Sequence, residues 1–160
     1  MQRLQCAVKN YSWGKLGSAS EVSRLCSAVD ANFETYEHMP YAELWAGTHP
    51  MGPARIHGSC EKLSRHLSQT RSESNLLYKD GSVENLHLSF ILKIMSVRSS
   101  LSLQVHPTQK QAKELNRLDP VNYPDCNHKP EMVVALTTFE LLCGFKPCDE
   151  ILRILYGTFY

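Results

Sequence analysis

Residues 88–106 read LSFILKIMSVRSSLSLQVH, and this stretch decides the fold class. Residues 88–97 form an apolar run broken only by single polar residues, which is typical of a buried strand. After a short polar turn, residues 101–106 alternate between apolar and polar, so that Gln104 and His106 share one face of a second predicted strand. The two segments are therefore predicted to be neighbouring β-strands.

The segments on either side predict further short strands, with helices at the periphery. Strands are predicted at 41–46, 132–137 and 139–145, which are rich in Val, Leu and aromatic residues. Helices are predicted after a capping box at 18–21, at a short surface segment containing Leu63 and Leu67, after a second capping box formed by Thr108 and Gln111, and after Pro147. This order favours a mostly β sandwich or jelly roll over a βαβ sheet. The last helix has no cap, and we expect it to be cut short.

Composition and charge argue against several classes of protein. The 160 residues are 42% hydrophobic and 21% charged, as is ordinary for one globular domain. Seventeen Lys and Arg balance 16 Asp and Glu, which indicates neither a basic nucleic-acid module nor an acidic tail. No apolar run approaches the ~20 residues that cross a membrane, and polar residues near the start argue against a signal peptide. We expect a cytoplasmic protein that binds neither nucleic acid nor membrane, with its six cysteines as free thiols because they form no C-x-x-C pair.

Three polar features interrupt the apolar segments and could carry chemistry. Gln104 and His106 could both ligate a divalent ion, although such a pair is also common as a structural or solvent-facing one. Glu131 stands at the entry of a predicted strand, where a carboxylate is either a ligand or an exposed end. Trp13 fits a core or lid aromatic. Taken one by one, these residues leave the alternatives open.

Taken together, these residues lie in segments that resemble the type I phosphomannose isomerase family, zinc enzymes of the cupin superfamily. The resemblance is sharpest at residues 123–131, Tyr-Pro-Asp-Cys-Asn-His-Lys-Pro-Glu, which look like the family's signature. It extends to YSWGK at 11–15, SEVSRL at 20–25, YAELWAGTHP at 41–50, ILKIMSV at 91–97, SLQVHP at 102–107 and LCGF at 142–145. It covers almost the whole chain except the polar stretch near 58–85.

The resemblance implies a fold that is mainly β with peripheral helices, a truncated cupin-type jelly-roll β-sandwich. Residues 1–147 would be the N-terminal part of the zinc-binding cupin domain, and residues 148–160 the start of the family's helical domain. Gln104, His106 and Glu131 match three ligands of one zinc ion per chain. The family's fourth ligand, a histidine, and the arginine that binds the substrate phosphate lie further along than this sequence reaches.

The resemblance also implies a reaction, the interconversion of mannose 6-phosphate and fructose 6-phosphate, which feeds GDP-mannose synthesis. Lys129 is the candidate catalytic residue, either in proton transfer or ring opening or as a fixed cation that orients substrate oxygens. Trp13, Glu43, Ser102 and His128 are candidate substrate-binding residues. The expected partner is a hexose 6-phosphate, and the full-length protein is expected to be a monomer. The alternative is a non-catalytic truncated cupin fragment that binds metal weakly.

Overall fold

The computed structural model describes residues 2–70, the backbone of residues 77–79, and residues 86–157. The chain forms two compact units, Met1–Leu103 (unit 1) and Gln104–Tyr160 (unit 2). These units are defined by contacts within the chain. The expected division into a cupin part and the start of a helical domain at residue 148 is a statement about the family and stays a prediction.

Unit 1 is built from short antiparallel strands. In chain order they are β1 (Leu4–Gln5), β2 (Ala7–Lys9), β3 (Lys15–Leu16), β4 (Pro40–Tyr41), β5 (Glu43–Ala46), β6 (Arg55–Ile56), β7 (Leu77–Lys79), β8 (Leu86–Leu88) and β9 (Leu92–Met95). The largest sheet has the order β2-β5-β9, and the others are the pairs β1-β6, β3-β4 and β7-β8. Strand β5 is central, with Trp45 opposite Ala7 on one side and Lys93 on the other.

Helices occur in both units. They are a 3-10 turn at Gly17–Ala19, α1 (Glu21–Val29), α2 (Leu63–Gln69), α3 (Gln109–Leu118) and α4 (Cys148–Gly157). In the parts of the chain that the structure describes, none of them has the length and hydrophobicity to span a bilayer.

The first helix begins two residues later than its predicted capping box. Ser20 is the N-cap, and its hydroxyl oxygen accepts a hydrogen bond from the backbone N–H of Val22 at 3.1 Å. The same hydroxyl donates to the carbonyl of Tyr41 at 2.7 Å, and Ser20 is fully buried. Ser20 therefore caps the helix and fastens it to β4, a tertiary contact that no local pattern specifies.

The other predicted helices are confirmed, and one of them, α2, is partly buried although it is predicted to lie on the surface. Helix α3 has the predicted capping box: Gln111 N–H donates to Thr108 Oγ1 at 3.3 Å, and Thr108 N–H donates to Gln111 Oε1 at 3.0 Å. Helix α2 was expected on the surface, but Leu63 is buried against Ala54 and Ile56. The polar residues around α2 conceal this apolar contact because only one side of the helix faces the core.

The strand predictions succeed in the first part of the chain and fail in the second. The strand at 41–46 is confirmed as β4 and β5, and the run at 88–97 is divided between β8 and β9. The strands at 101–106, 132–137 and 139–145 are wrong, since residues 101–108 and 119–147 contain no helix or strand. The jelly roll itself therefore stays a prediction, while the observed content is a mixture of antiparallel sheets and helices.

Apolar side chains in these irregular segments lie exposed. Leu103 and Val105 are 84% and 87% exposed, and Met132 and Leu142 are 91% and 96% exposed. The β-branched and large apolar residues of these segments favour strands only when a neighbouring strand supplies backbone hydrogen bonds and other side chains pack over them. Within the described residues of these segments no such pairing occurs.

Gly14 lies where two backbone segments of unit 1 approach closely. It forms an isolated antiparallel bridge with Val97, and a Cβ at this position would lie 2.6 Å from the Cα of Ala42. The obstacle is backbone and a fully buried residue, so it cannot move aside as a flexible side chain would. The sequence Trp-Gly-Lys therefore requires glycine for space.

We expect Gly14→Ala to lower the free energy of unfolding by about 1–3 kcal/mol, because the added methyl overpacks a buried contact. The matched control is Gly157→Ala at the end of α4, where an added Cβ meets no atom within 4 Å. Chemical denaturation of both variants checks the expectation. Equal stability of the two would contradict the close approach.

Candidate functional site

Side chains of α3 hold the loop that precedes Glu131. We call residues 123–131 the signature loop. The Gln109 side chain donates from Nε2 to the carbonyl of Cys126 at 3.1 Å and accepts at Oε1 from the backbone N–H of His128 at 3.2 Å. Two turns further along the helix, Asn116 Nδ2 donates to the carbonyl of Tyr123 at 2.7 Å. The loop is thereby fastened to α3 at its first residue, Tyr123, and again at residues 126 and 128.

A turn at the end of α3 leads into the signature loop. The Asp119 carbonyl accepts from Tyr123 N–H at 3.0 Å, and its carboxylate accepts from the backbone and side-chain amides of Asn122 at 3.1 and 2.7 Å. These hydrogen bonds from Asn122 lower the pKa of the Asp119 carboxyl group. The carboxylate therefore stabilises the turn in its ionised form.

A second acidic residue organises the middle of the signature loop. Asp125 Oδ1 accepts from the backbone N–H of Asn127 at 2.9 Å, and Oδ2 lies 3.4 Å from Lys129 Nζ. Partial burial acts to raise the pKa of Asp125, but the Asn127 hydrogen bond and the positive charge of Lys129 outweigh it, so the pKa is lowered. This carboxylate orders the loop and restrains the Lys129 ammonium group.

The structure brings together two of the three predicted metal ligands. His106 Nε2 lies 3.7 Å from Glu131 Oε1, with their side chains 33% and 56% exposed. Two ligand atoms that share a tetrahedral zinc ion at about 2.0–2.1 Å are about 3.3 Å apart, so a small opening of the ligand angle accommodates one ion between them. Gln104, two residues before His106, is exposed and adds an amide oxygen to the same segment. The donor set of imidazole, carboxylate and amide oxygen fits zinc.

In the described part of the chain, His106 and Glu131 form a pair and not a larger ligand cluster. Among the described residues, no group of three or more His, Cys, Asp or Glu side chains is arranged to hold a metal ion. A zinc site here would therefore depend on Gln104 and on a ligand from outside this group. The assignment of Gln104, His106 and Glu131 as ligands stays a prediction.

The remaining candidate residues fall in both units. His128 and Lys129 belong to unit 2, on the signature loop, and Trp13, Glu43 and Ser102 belong to unit 1. Trp13 is half-buried and stacks on Tyr11 with ring centroids 5.7 Å apart; its carbonyl accepts from Arg98 N–H at 2.9 Å. Ser102 is exposed.

Glu43 lies in a charged cluster on the central strand of unit 1. It is 5% exposed, and its Oε2 accepts from Trp45 Nε1 at 2.6 Å. Lys93 Nζ lies 3.9 Å from Glu43 Oε1 and 4.9 Å from the centre of the Trp45 ring, while Lys9 Nζ lies 4.5 Å from that ring. The cluster places two ammonium groups beside one aromatic ring and one buried carboxylate, so that Lys93 is close to an opposite charge and both lysines interact with the Trp45 ring.

Sequence reasoning missed Lys93, Lys9 and Trp45 as members of this cluster. The available signal was the alternation along β5, which puts Glu43 and Trp45 on one face, together with a lysine that interrupts the apolar run of β9. The missing information was strand register. Lys93 lies opposite Trp45 and Lys9 opposite Glu43 only because β9 and β2 flank β5 in this register.

Comparison with known proteins identifies related sequences. A model of the type I phosphomannose isomerase catalytic domain matches residues 1–148. The chain is 45% identical over 155 residues to mannose-6-phosphate isomerase of Homo sapiens, which covers 95% of this chain and 36% of that protein. It is 41% identical over 157 residues to mannose-6-phosphate isomerase of Candida albicans, covering 96% of this chain and 35% of that protein. The chain thus spans about a third of the length of these relatives.

Solved structures share the fold. A mutant of phosphomannose isomerase from Salmonella typhimurium matches with a TM-score of 0.55 at 28% identity, over 80% of this chain and 32% of that one. A mannose 6-phosphate isomerase bound with zinc and yttrium matches with a TM-score of 0.50 at 24% identity, over 80% of this chain and 33% of that one. The second likeness concerns the fold alone.

We expect the signature loop to loosen in acid through Asp125. Since its pKa in the folded protein is lowered from the ordinary 3.8, its stabilising effect is present above about pH 4 and is lost as the pH falls through the folded value. The measurement is the pH dependence of hydrogen exchange at the Asn127 amide, with a carboxyl titration of Asp125 by NMR.

Asp125→Asn is the matched control, because it keeps an oxygen that can accept from Asn127 N–H and removes the charge. In this variant the loop should show no such acid transition. An Asp125 pKa at or above 3.8 in the unchanged protein would contradict the hydrogen-bond and ion-pair geometry.

Proposed function

Because the chain belongs to the type I phosphomannose isomerase family, we propose that the protein interconverts mannose 6-phosphate and fructose 6-phosphate through one zinc ion held by Gln104, His106 and Glu131. The observation that carries the proposal is the 3.7 Å approach of His106 Nε2 to Glu131 Oε1 at the end of the signature loop. The named relatives are isomerases of this substrate. The family resemblance also implies a fourth ligand, a histidine, and a phosphate-binding arginine, which no residue of this chain matches.

The isomerisation moves a proton between C1 and C2 of the sugar. During this step negative charge develops on the sugar oxygens, and the site must stabilise it. A bound zinc ion supplies a Lewis acid for that charge. Gln104 and His106 are neutral donors and Glu131 brings a single negative charge, so the three ligands together leave the site electrophilic. Three residues from two segments of the chain, one before α3 and one after it, thus account for the polarity that the reaction requires.

Lys129 is proposed to hold a positive charge next to the substrate. Asp125 Oδ2, 3.4 Å from its Nζ, restrains the ammonium group and favours the role of a fixed cation that orients sugar oxygens. Proton transfer or ring opening by the same group is the other role open to it. His128 on the same loop, and Trp13, Glu43 and Ser102 in unit 1, are proposed to bind substrate.

We also propose a cellular setting and an oligomeric state. The product would feed GDP-mannose synthesis, and the protein would act in the cytoplasm as a monomer. The six cysteines are free thiols, which suits a reducing compartment.

A second candidate is a non-catalytic cupin fragment that binds metal weakly. It is favoured by the irregular, exposed segments 101–108 and 119–147, which carry the proposed ligands without strand support. Ligands on such segments are less rigidly placed than ligands on a sheet, and the metal affinity falls accordingly.

Zinc binding should depend on the assigned ligands. We expect His106→Ala and Glu131→Ala each to lower zinc affinity at least tenfold, because each removes a direct ligand. Equilibrium competition with a chromogenic chelator measures the affinity in the full-length protein.

The matched control is His66→Ala. His66 also pairs with a carboxylate, since its Nδ1 lies 3.3 Å from Glu61 Oε2, but it lies in unit 1 and away from the motifs. It should leave zinc affinity unchanged. Unchanged affinity in both the His106 and Glu131 variants would refute the ligand assignment.

Activity separates the two candidate functions. We expect the full-length protein to isomerise mannose 6-phosphate, and the 160-residue chain alone to turn over far more slowly, because substrate phosphate needs a charged clamp that the proposed site lacks. A coupled assay with added zinc, and a chelator as control, measures both. Chelator-sensitive turnover of the 160-residue chain within about tenfold of the human relative would contradict this account of the groups required.

A further inference from the structure

Gln109 contacts the signature loop through groups whose hydrogen-bonding roles are fixed. The carbonyl of Cys126 can only accept, so it must face the amide nitrogen of Gln109. The backbone N–H of His128 can only donate, so it must face the amide oxygen. Two backbone groups of opposite polarity therefore determine the orientation of this side-chain amide.

The His128 imidazole contacts that same oxygen. Its Nδ1 is hydrogen-bonded to Gln109 Oε1. Because an amide oxygen carries no proton, Nδ1 must be the donor. The neutral ring then bears its proton on Nδ1, and Nε2 is left with a lone pair.

We propose that Gln109 is a positioning residue that fixes His128 as the Nδ1–H tautomer and directs the Nε2 lone pair outward to accept a hydrogen bond from a sugar hydroxyl of the substrate. His128 is exposed, so a ligand can reach the ring. This role rests on the proposed function, since it assumes that a hexose phosphate binds at the signature loop. The tautomer itself depends only on the contacts with Gln109.

The location of Gln109 makes the arrangement rigid. It is the first residue of α3, directly after the N-cap Thr108, whose capping box fixes that end of the helix. Lys129, which follows His128, is restrained by Asp125 on the other side of the loop. His128 is thus held between a helix terminus and an ordered turn, and its ring orientation is set before any ligand arrives.

The tautomer can be measured directly. Long-range ¹H–¹⁵N spectra distinguish a protonated ring nitrogen from one with a lone pair, and His128→Gln assigns the signal among the seven histidines. At about pH 8, where an ordinary imidazole is neutral, we expect His128 of the full-length protein to carry its proton on Nδ1. A proton on Nε2 would overturn the proposal.

Three variants test whether Gln109 is the cause. Gln109→Met has similar length and no acceptor, and it should lose the Nδ1–H preference. Gln109→Glu retains an acceptor oxygen and should keep the proton on Nδ1. Glu114→Met makes a similar change at an exposed position about 140° further round the helix, and it should leave His128 unchanged.

The same variants test the consequence for the reaction. In Gln109→Met we expect kcat/KM for mannose 6-phosphate to fall about tenfold when it is measured at saturating zinc, so that any loss of metal affinity from a looser signature loop does not enter the comparison. An unchanged kcat/KM, or an unchanged tautomer in Gln109→Met, would overturn the positioning role. Absence of isomerase activity in the unchanged protein would instead refute the proposed function, and the tautomer would still report on Gln109.

Discussion

A β-strand is stabilised by backbone hydrogen bonds to neighbouring strands, and the largest sheet of unit 1 depends on β5, which pairs along both of its edges. Among the described strands, β5 is the one with neighbours on both sides. The register that follows brings Lys9 Nζ and Lys93 Nζ within 4.5 and 4.9 Å of the centre of the Trp45 ring and buries the Glu43 carboxylate beside them. The charged cluster of unit 1 is therefore a product of strand pairing.

The same dependence on strand pairing explains why unit 2 departs from its sequence pattern. Residues 132–145 have the Val, Leu and Phe content of strands, yet they are irregular and largely exposed. β propensity measures how well a side chain fits a paired and half-buried surface. A segment of high β propensity therefore forms no strand where no partner strand pairs with it. In unit 2 the described residues provide helices α3 and α4 and no paired strand.

The candidate site is ordered by a different kind of interaction. The signature loop is held by side-chain amides of Gln109 and Asn116 and by the Asp125 carboxylate, all within about twenty residues of their partners. Polar contacts of this local kind do not need a completed sheet. They explain how His106 and Glu131 come within 3.7 Å of each other although the predicted strand that was to carry His106 is absent from residues 101–108.

The sequence by itself determined the features with local causes. The Thr108 and Gln111 capping box, the helix after Pro147 and the family resemblance at residues 123–131 could all be predicted, because each depends on residues a few positions apart. Tertiary structure alone decided the rest. Ser20 caps α1 while bound to Tyr41, Lys93 lies opposite Trp45, and the predicted strands after residue 100 do not form. Those outcomes depend on which distant segments supply hydrogen bonds and pack against the residues concerned. A propensity scale contains no information about such distant partners.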